Sequence, residues 1–281
     1  GQPLYIEEVS SPVFDVRNQI IGRLLVLRDV TEEKLLMDYR DEISNMIIHD
    51  LRSPLSAIYS GLSYSRILLD DPEEAPPLDV LIPVLDVAVN STNNLLALVD
   101  SLLDIAKLES RSMPLKLTAT SIPEMVNDAV ATMSVLFKEA EINAQISFPE
   151  DLPLVYVDES KVRRVILNLL DNAQRFSPLG GVILVEAVQI NDQKVQIRIA
   201  DSGKGIPPEE RERVFDKFRQ VSNSSPTRGR RGSGLGLTFC KLVIEAHGEE
   251  IWVEQVSSLP GASFTFTLPV YNPDDLPENP A

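Results

Sequence analysis

Four sets of residues in this chain have the types and spacing to do chemistry. His49 and Asp50 stand side by side within DEISNMIIHDLRSPLSAIYSGL, residues 41–62. An imidazole with an ordinary pKa is largely neutral near pH 7 and serves as a nucleophile. A carboxylate beside it can orient the ring or take its proton. Asn168 and Asn172 lie four apart, so they share one helix face, and Arg175, one turn beyond Asn172, is placed to meet a phosphate. DSGKGIP at 201–207 follows a stretch with strand character. Gly203 and Gly205 permit a tight turn with close backbone approach, and a buried Asp201 there can accept a hydrogen bond from an exocyclic amine. GSGLGL at 232–237, with Gly232, Gly234, Leu235 and Gly236, opens a helix whose free amides and dipole attract an anion. No Gly-Lys-Ser/Thr follows, and no strand–GxGxxG–helix frame surrounds it, so it is neither a Walker loop nor a Rossmann turn. Taken singly, these are also an ordinary surface histidine, a chance pair on a helix and common turns.

The elements that must position these groups follow from periodicity. On a helical wheel at about 100° per residue with Ile47 as origin, Ile43, Leu51, Pro54, Ile58, Leu62 and Leu69 fall within roughly 60° and form one apolar stripe. His49 falls roughly 200° away with Arg52 and Ser56, on the face a helix leaves to water. A long helix is therefore expected over 31–69, with Pro54 bending it just after His49. A polar, proline-rich loop follows at 70–79. A second helix runs to about Ser110, with Leu85, Ala88, Thr92, Leu95, Val99, Leu102 and Ala106 as an unbroken coiled-coil seam. A lone hairpin with such seams exposes too much apolar surface, and two copies close it into a four-helix bundle.

Residues 4–13 and 20–30 read as two strands around the turn DVRNQ. From Met113 the pattern turns α/β. SIPE at 121–124 is a capping box that opens a helix to about Ala140. Strands are expected at 142–148, 154–157, 182–190, 194–200, 251–256 and 262–269, and helices at 159–176, 208–218 and 235–247. The tail from Asn272 is acidic and proline-rich and reads as disordered. The fold class expected is thus a helical hairpin followed by an α/β sandwich.

Composition narrows the function. The net charge of −16 argues against a general nucleic-acid binder. Cys240 is the single cysteine, which excludes a disulfide framework and fits a reducing, cytoplasmic setting. No run of about 18 apolar residues marks a membrane span. The chain opens in strand sequence at Gly1, as a piece of a longer protein with a membrane or sensor region upstream would.

HDLRSPLS at 49–56 resembles the phosphoacceptor box of sensor histidine kinases. NLLDNAQRFS at 168–177 resembles the N box of the Bergerat-fold ATPases, DSGKGIP their adenine-reading loop, FDKF at 215–218 their F box and GSGLGL their glycine box. GRLLVLRDVT at 22–31 resembles the last strand of a PAS sensor domain, with Asp29 and Thr31 as its closing pair; a generic hairpin describes it equally well. The resemblance implies a dimeric enzyme in which ATP bound to the C-terminal domain phosphorylates His49, with Asp50 as general base. It implies Asn172 as the magnesium ligand assisted by Asn168, Asp201 reading adenine, Arg175 and Phe176 as part of the N box, and residues 219–231 as a lid carrying Arg219, Arg228, Arg230 and Arg231. It also implies a response-regulator receiver domain as the acceptor, docking below His49. Ser53 stands where phosphatase-competent members carry Thr or Asn, which puts phosphatase activity in doubt, and Glu249 follows Gly248 where a second glycine is common. The domains expected are 1–30 (PAS-like strands), 31–112 (dimerisation and phosphotransfer hairpin), 113–271 (ATP-binding) and 272–281 (tail). Few fixed contacts are expected between hairpin and ATP-binding domain, with the joint near Ser110–Pro114. The rivals are a Bergerat-fold ATPase that drives conformational change and a non-catalytic dimer scaffold.

Overall fold

The computed structural model describes residues 4–14, 16–69, 78–110, 113–219, 234–255 and 259–273. The 70–77 loop, Gly232, the arginines at 228, 230 and 231, and the tail from 274 lie outside the described residues. The chain divides into two compact units, Gly1–Thr92 and Asn93–Ala281.

In the first unit, β1 (Ile6–Phe14) and β2 (Ile20–Asp29) pair antiparallel, with Asn18 at φ 61° in the turn. Every residue of both strands is exposed, so the hairpin has no core on either face. It is tied to the next helix through Thr31, whose N–H donates to Asp29 Oδ1 at 2.9 Å and whose Oγ1 accepts from the Tyr5 N–H at 2.9 Å. Helix α1 (Thr31–Leu69) begins there, with Glu32 and Glu33 favourably placed in its first turn. It runs unbroken through Pro54, which is buried. Among the described side chains, the packed face differs from the wheel at Leu62. Leu62 is 54% exposed, and Gly61 and Ser65 occupy the buried line instead. The reason is close approach: a Cβ on Gly61 would come within 3.3 Å of Ala88 Cβ and the Val84 carbonyl of α2 (Leu78–Glu109).

The residues of α2 carry two seams. The buried or half-buried line is Leu81, Val84, Ala88, Ser91, Leu95, Leu98, Leu102 and Ile105. Of the expected seam, Ala88, Leu95 and Leu102 share this face, while Leu85 (37%) and Val99 (38%) stay exposed. The helix from Asp79 to Glu109 reaches a mean hydropathy of 1.3 over its most apolar window, only 11% of which is buried. By length and composition it is apolar enough to cross a membrane, which the sequence reading did not anticipate.

In the second unit a five-stranded sheet has the order β4 (Asn143–Ser147), β6 (Val182–Asn191), β7 (Lys194–Asp201), β9 (Ser263–Pro269), β8 (Ile251–Glu254). Only β4–β6 is parallel. Alternation along β6 and β7 puts Ile183, Val185, Val195, Ile197 and Ile199 in the core, under 2% exposed. Helices α3 (Ile122–Glu139), α4 (Glu159–Phe176) and α5 (Gly236–Ala246) complete that core with Ile122, Ile166, Leu169, Leu170 and Phe239. The Ser121 hydroxyl caps α3 by accepting from the Glu124 N–H, as the capping box requires. The expected helix over 208–218 is instead two 3₁₀ turns, Pro208–Glu210 and Arg213–Phe215. A strand not anticipated, β3 (Thr118–Thr120), pairs with β5 (Val155–Val157); Thr-Ala-Thr carries no large apolar residue to mark it as a strand.

Candidate functional site

Helix α1 holds His49 on its open face, with the side chain 82% exposed. Its Nδ1 lies 3.2 Å from Asp50 Oδ1. Donation of Nδ1–H to that carboxylate leaves the Nε2 lone pair directed outward, the tautomer a nucleophile needs. An open groove of about 540 Å³ runs along the same helix, lined by Ile48, Leu51, Arg52, Leu55, Ser56 and Tyr59. The other histidine, His247, is chemically spent: its Nε2 accepts from the Asp158 N–H at 3.0 Å and its Nδ1–H donates to the Val243 carbonyl at 2.7 Å. Burial holds the His247 pKa below its usual value, against the pull of that carbonyl and of Asp158 and Glu249.

The second unit gathers the remaining candidates at the ends of β7, α4 and α5. Asp201 ends β7 and is 3% exposed. Its Oδ1 accepts from the N–H groups of Gly203 (2.8 Å) and Ala262 (3.3 Å), which leaves Oδ2 for a ligand donor. Burial pushes its pKa up to about 6, with those two hydrogen bonds opposing. The close approach demands glycine around it. A Cβ on Gly261 would lie 2.0 Å from Asp201 Oδ1, and one on Gly203 would lie 2.7 Å from the Phe176 carbonyl oxygen. Gly205 has φ +73°, a conformation that L side chains rarely adopt. Gly261 is a site residue the sequence reading missed; no local pattern marks it, because its constraint comes from a strand far earlier in the chain.

On α4, Asn168 donates from Nδ2 to the Gly236 carbonyl at 3.4 Å, joining the N box to the start of α5. Asn172 lies one turn on, half-buried. Arg175 is ion-paired to Asp171 at 2.9 Å along its own helix, so its charge is already partly neutralised. Gly234, at φ +71°, packs against the backbone of Phe218, itself at φ 60°, and the Phe218 N–H donates to the Gly234 carbonyl. Leu235 is buried behind this turn, and Phe215 is buried edge-on to Phe264. The F-box and glycine-box turns thus brace one another. Arg219, at the edge of the described lid residues, is paired with Glu210. Cys240 is fully buried and its thiol is pushed up to about 12, so it is inert.

Residues 157–272 match the family model described as histidine kinase-, DNA gyrase B- and HSP90-like ATPase. The adaptive-response sensory kinase SasA of Synechocystis sp. is 32% identical, the alignment covering 94% of this chain and 68% of that protein. The chain belongs to the sensor histidine kinase family. A solved full-length kinase, ShkA in complex with AMPPNP, is similar in fold, with TM-score 0.60 at 25% identity, covering 82% of this chain and 46% of that one. Histidine kinase ThkA in complex with response regulator protein TrrA has TM-score 0.60 at 20% identity, over 98% of this chain and 80% of that one, a likeness of fold alone. The chain spans 65% to 69% of the length of the first curated histidine kinase relatives it matches. Within this histidine kinase, the matched ATPase region begins at β5 and contains all of the Asn168, Asp201 and glycine-box geometry described above.

Proposed function

We propose that this chain is the kinase core of a homodimeric two-component sensor kinase, in which ATP bound in the second unit phosphorylates His49 and the phosphoryl group then passes to an aspartate of a response regulator. The observation that carries this reading is a free, outward imidazole on Asp50 in the same chain as a buried carboxylate with one unused oxygen, ringed by obligatory glycines. In this reading Asp201 Oδ2 accepts from the adenine amine, and the turns at Gly203–Gly205 and Gly234–Gly236 let the backbone approach the nucleotide. The donor chemistry fits Mg²⁺, a cation that prefers oxygen ligands: Asn172 would hold it through its amide oxygen, on the same face as Asn168. When bound, the ion neutralises charge on the transferring phosphoryl group. His49 Nε2 forms the new N–P bond as the bond from γ-phosphorus to the bridging oxygen breaks and ADP leaves, while the Nδ1 proton is taken up by Asp50.

The domain limits proposed are 1–30, 31–112, 113–271 and 272–281, the first a PAS-like remnant whose coreless strands need further chain to cover them. A membrane or sensor region upstream belongs to the same proposal, as does a cytoplasmic setting for the free thiol of Cys240. The groove beside His49 is the proposed dock for the receiver domain. Incubation with γ-labelled ATP tests the reading: acid-labile, base-stable label on the protein is expected. Acid-stable label would place the phosphate on a hydroxyl and overturn His49 as acceptor, hydrolysis with no label would favour a conformational ATPase, and neither label nor hydrolysis a scaffold.

Dimerisation rests on the second seam of α2. Leu85 and Val99 remain exposed beside buried neighbours on a helix that is apolar along its length. Val99→Glu puts one unpaired charge from each subunit into the proposed bundle core, costing on the order of several kcal/mol. Sedimentation should find a wild-type dimer at micromolar concentration and a monomeric or aggregated variant; a wild-type monomer would defeat the four-helix bundle.

A further inference from the structure

Asp158 is the N-cap of α4. Its Oδ1 accepts from the Lys161 N–H at 3.2 Å and the Ser160 hydroxyl at 2.7 Å, and its Oδ2 from the Lys116 N–H at 3.1 Å. The N–H of an N-cap residue points out of its helix and needs an acceptor of its own. In a capping box the third helical residue supplies one from a Glu or Gln side chain. Here that residue is Lys161, which has no acceptor to give. The acceptor comes instead from the end of α5, where His247 Nε2 takes the Asp158 N–H at 3.0 Å. The Nδ1–H of the same ring donates to the Val243 carbonyl at 2.7 Å, in the last turn of α5. One imidazole thus closes the start of α4 and the end of α5 together, and it does so only as the neutral Nδ1–H tautomer. The same two helices carry the candidate nucleotide site at their other ends: Asn168 of α4 meets the Gly236 carbonyl at the start of α5, and Asn172 lies one turn on.

Two charges face the ring, Asp158 at the start of α4 and Glu249 in the turn after α5. Lys161 stands beside Asp158, and Glu249 is paired with Lys194 of β7 and bonded by the Thr267 hydroxyl of β9. Burial holds the His247 pKa below its usual value and outweighs the pull of both carboxylates. A proton on Nε2 sets one donor against another and leaves the Asp158 N–H without its acceptor. We propose that His247 is an acid-sensitive pin between α4 and α5: neutral, it fixes the two helices on which the nucleotide-site residues stand, and on taking a proton at Nε2 it lets go of Asp158 and loosens them. His247 touches no substrate and is a positioning residue, acting through Asp158. The part of the inference that concerns the nucleotide rests on the proposed kinase reading; the part that concerns the fold does not. The sign follows from the lowered pKa. The unfolded chain takes the proton first, so the contribution to stability is complete above 6.5 and is lost as pH falls through that value towards the lower folded one.

Two substitutions separate the pin from the fold. His247→Gln presents an amide oxygen to the Asp158 N–H and does not titrate, whereas His247→Phe keeps a ring with no acceptor. Thermal unfolding followed by the fluorescence of Trp252, the single tryptophan, reports on this unit. At pH 7.5 His247→Gln should unfold close to wild type and His247→Phe at lower temperature. As pH falls below 6.5, wild type should lose folding equilibrium constant relative to His247→Gln by up to about tenfold per pH unit, while the two variants keep a constant difference. The ratio of wild-type to His247→Gln dissociation constants for a non-hydrolysable ATP analogue with Mg²⁺ should rise about twofold or more between pH 7.5 and 5.5, Asp201 and the analogue's own titration being common to both proteins. Parallel unfolding curves for wild type and His247→Gln would overturn the pin. A widening stability gap with a constant affinity ratio would overturn its hold on the nucleotide site. If His247→Phe does not fold, the comparison of wild type with His247→Gln decides alone. A wild-type protein that binds no analogue at pH 7.5 would instead defeat the nucleotide reading, and the unfolding comparison, which needs no nucleotide, tells the two failures apart.

Discussion

His49→Gln abolishes acid-labile labelling while leaving nucleotide binding intact. The effect is all or none because no other imidazole can substitute. His247 is buried, its Nε2 is occupied by the Asp158 N–H, and burial keeps it neutral. Glutamine keeps the length of the side chain at an exposed helical position, so the fold should be unchanged. Asp50→Asn is the graded companion. It keeps an acceptor for Nδ1–H but cannot take the proton, and a loss of about 10²–10⁴-fold in rate is expected, the range typical of general base catalysis. Labelling followed by acid and base treatment of the three proteins checks both. Persistent acid-labile label on His49→Gln would place the nucleophile elsewhere.

Asp201→Asn weakens binding of an ATP analogue by about 10- to 100-fold, the cost of leaving a buried donor opposite another donor. The reasoning is atomic. Oδ1 is held by the Gly203 and Ala262 N–H groups, so the amide nitrogen of the variant must take the place of Oδ2 and face the adenine amine. The wild-type pH dependence follows from the same carboxyl. With the folded pKa at about 6, the acceptor form is lost as pH falls through 6, and affinity should drop about tenfold per unit below that point. Stability moves the other way. The folded protein holds this proton more tightly than the unfolded chain does, so between the ordinary carboxyl pKa of 3.8 and about 6 the group's contribution to stability declines as pH rises. At pH 7.5 the empty wild-type site therefore contains a buried charge, and Asp201→Asn should be more stable than wild type by up to about 3 kcal/mol, an advantage that fades towards pH 4. Calorimetric titration and thermal unfolding across pH check the two halves. Affinity unchanged in the variant would mean that Asp201 does not meet the base.

Glu249 illustrates a departure whose effect is local. It is 7% exposed, ion-paired to Lys194 at 2.8 Å and bonded by the Thr267 hydroxyl, so the carboxylate fills a glycine's place with a satisfied polar contact to the sheet. Gly248, at φ +77°, still turns the chain after α5.

By itself the sequence determined whatever depends on near neighbours in the chain. The limits of α4, the β6–β7 pair, the Ser121 cap and the exposure of His49 beside Asp50 all follow from period, capping and turn chemistry within a few residues, and the structure has each of them. The family boxes added which of these groups belong together, although no spacing rule links residues 49, 168, 201 and 234. What only the tertiary structure decided are contacts between segments far apart in sequence. Gly261 has to be glycine because the Asp201 backbone lies against it, and Gly61 is buried because α2 approaches it. The two faces of α2 read alike as apolar heptads, since hydrophobicity does not say which neighbour will cover a face; packing on one line leaves Leu85 and Val99 open on the other. Asp104 and Glu109 read in sequence as solvated acids near the end of α2, and only the tertiary structure brings Arg164 and Lys217, 60 and 108 residues further along, against them.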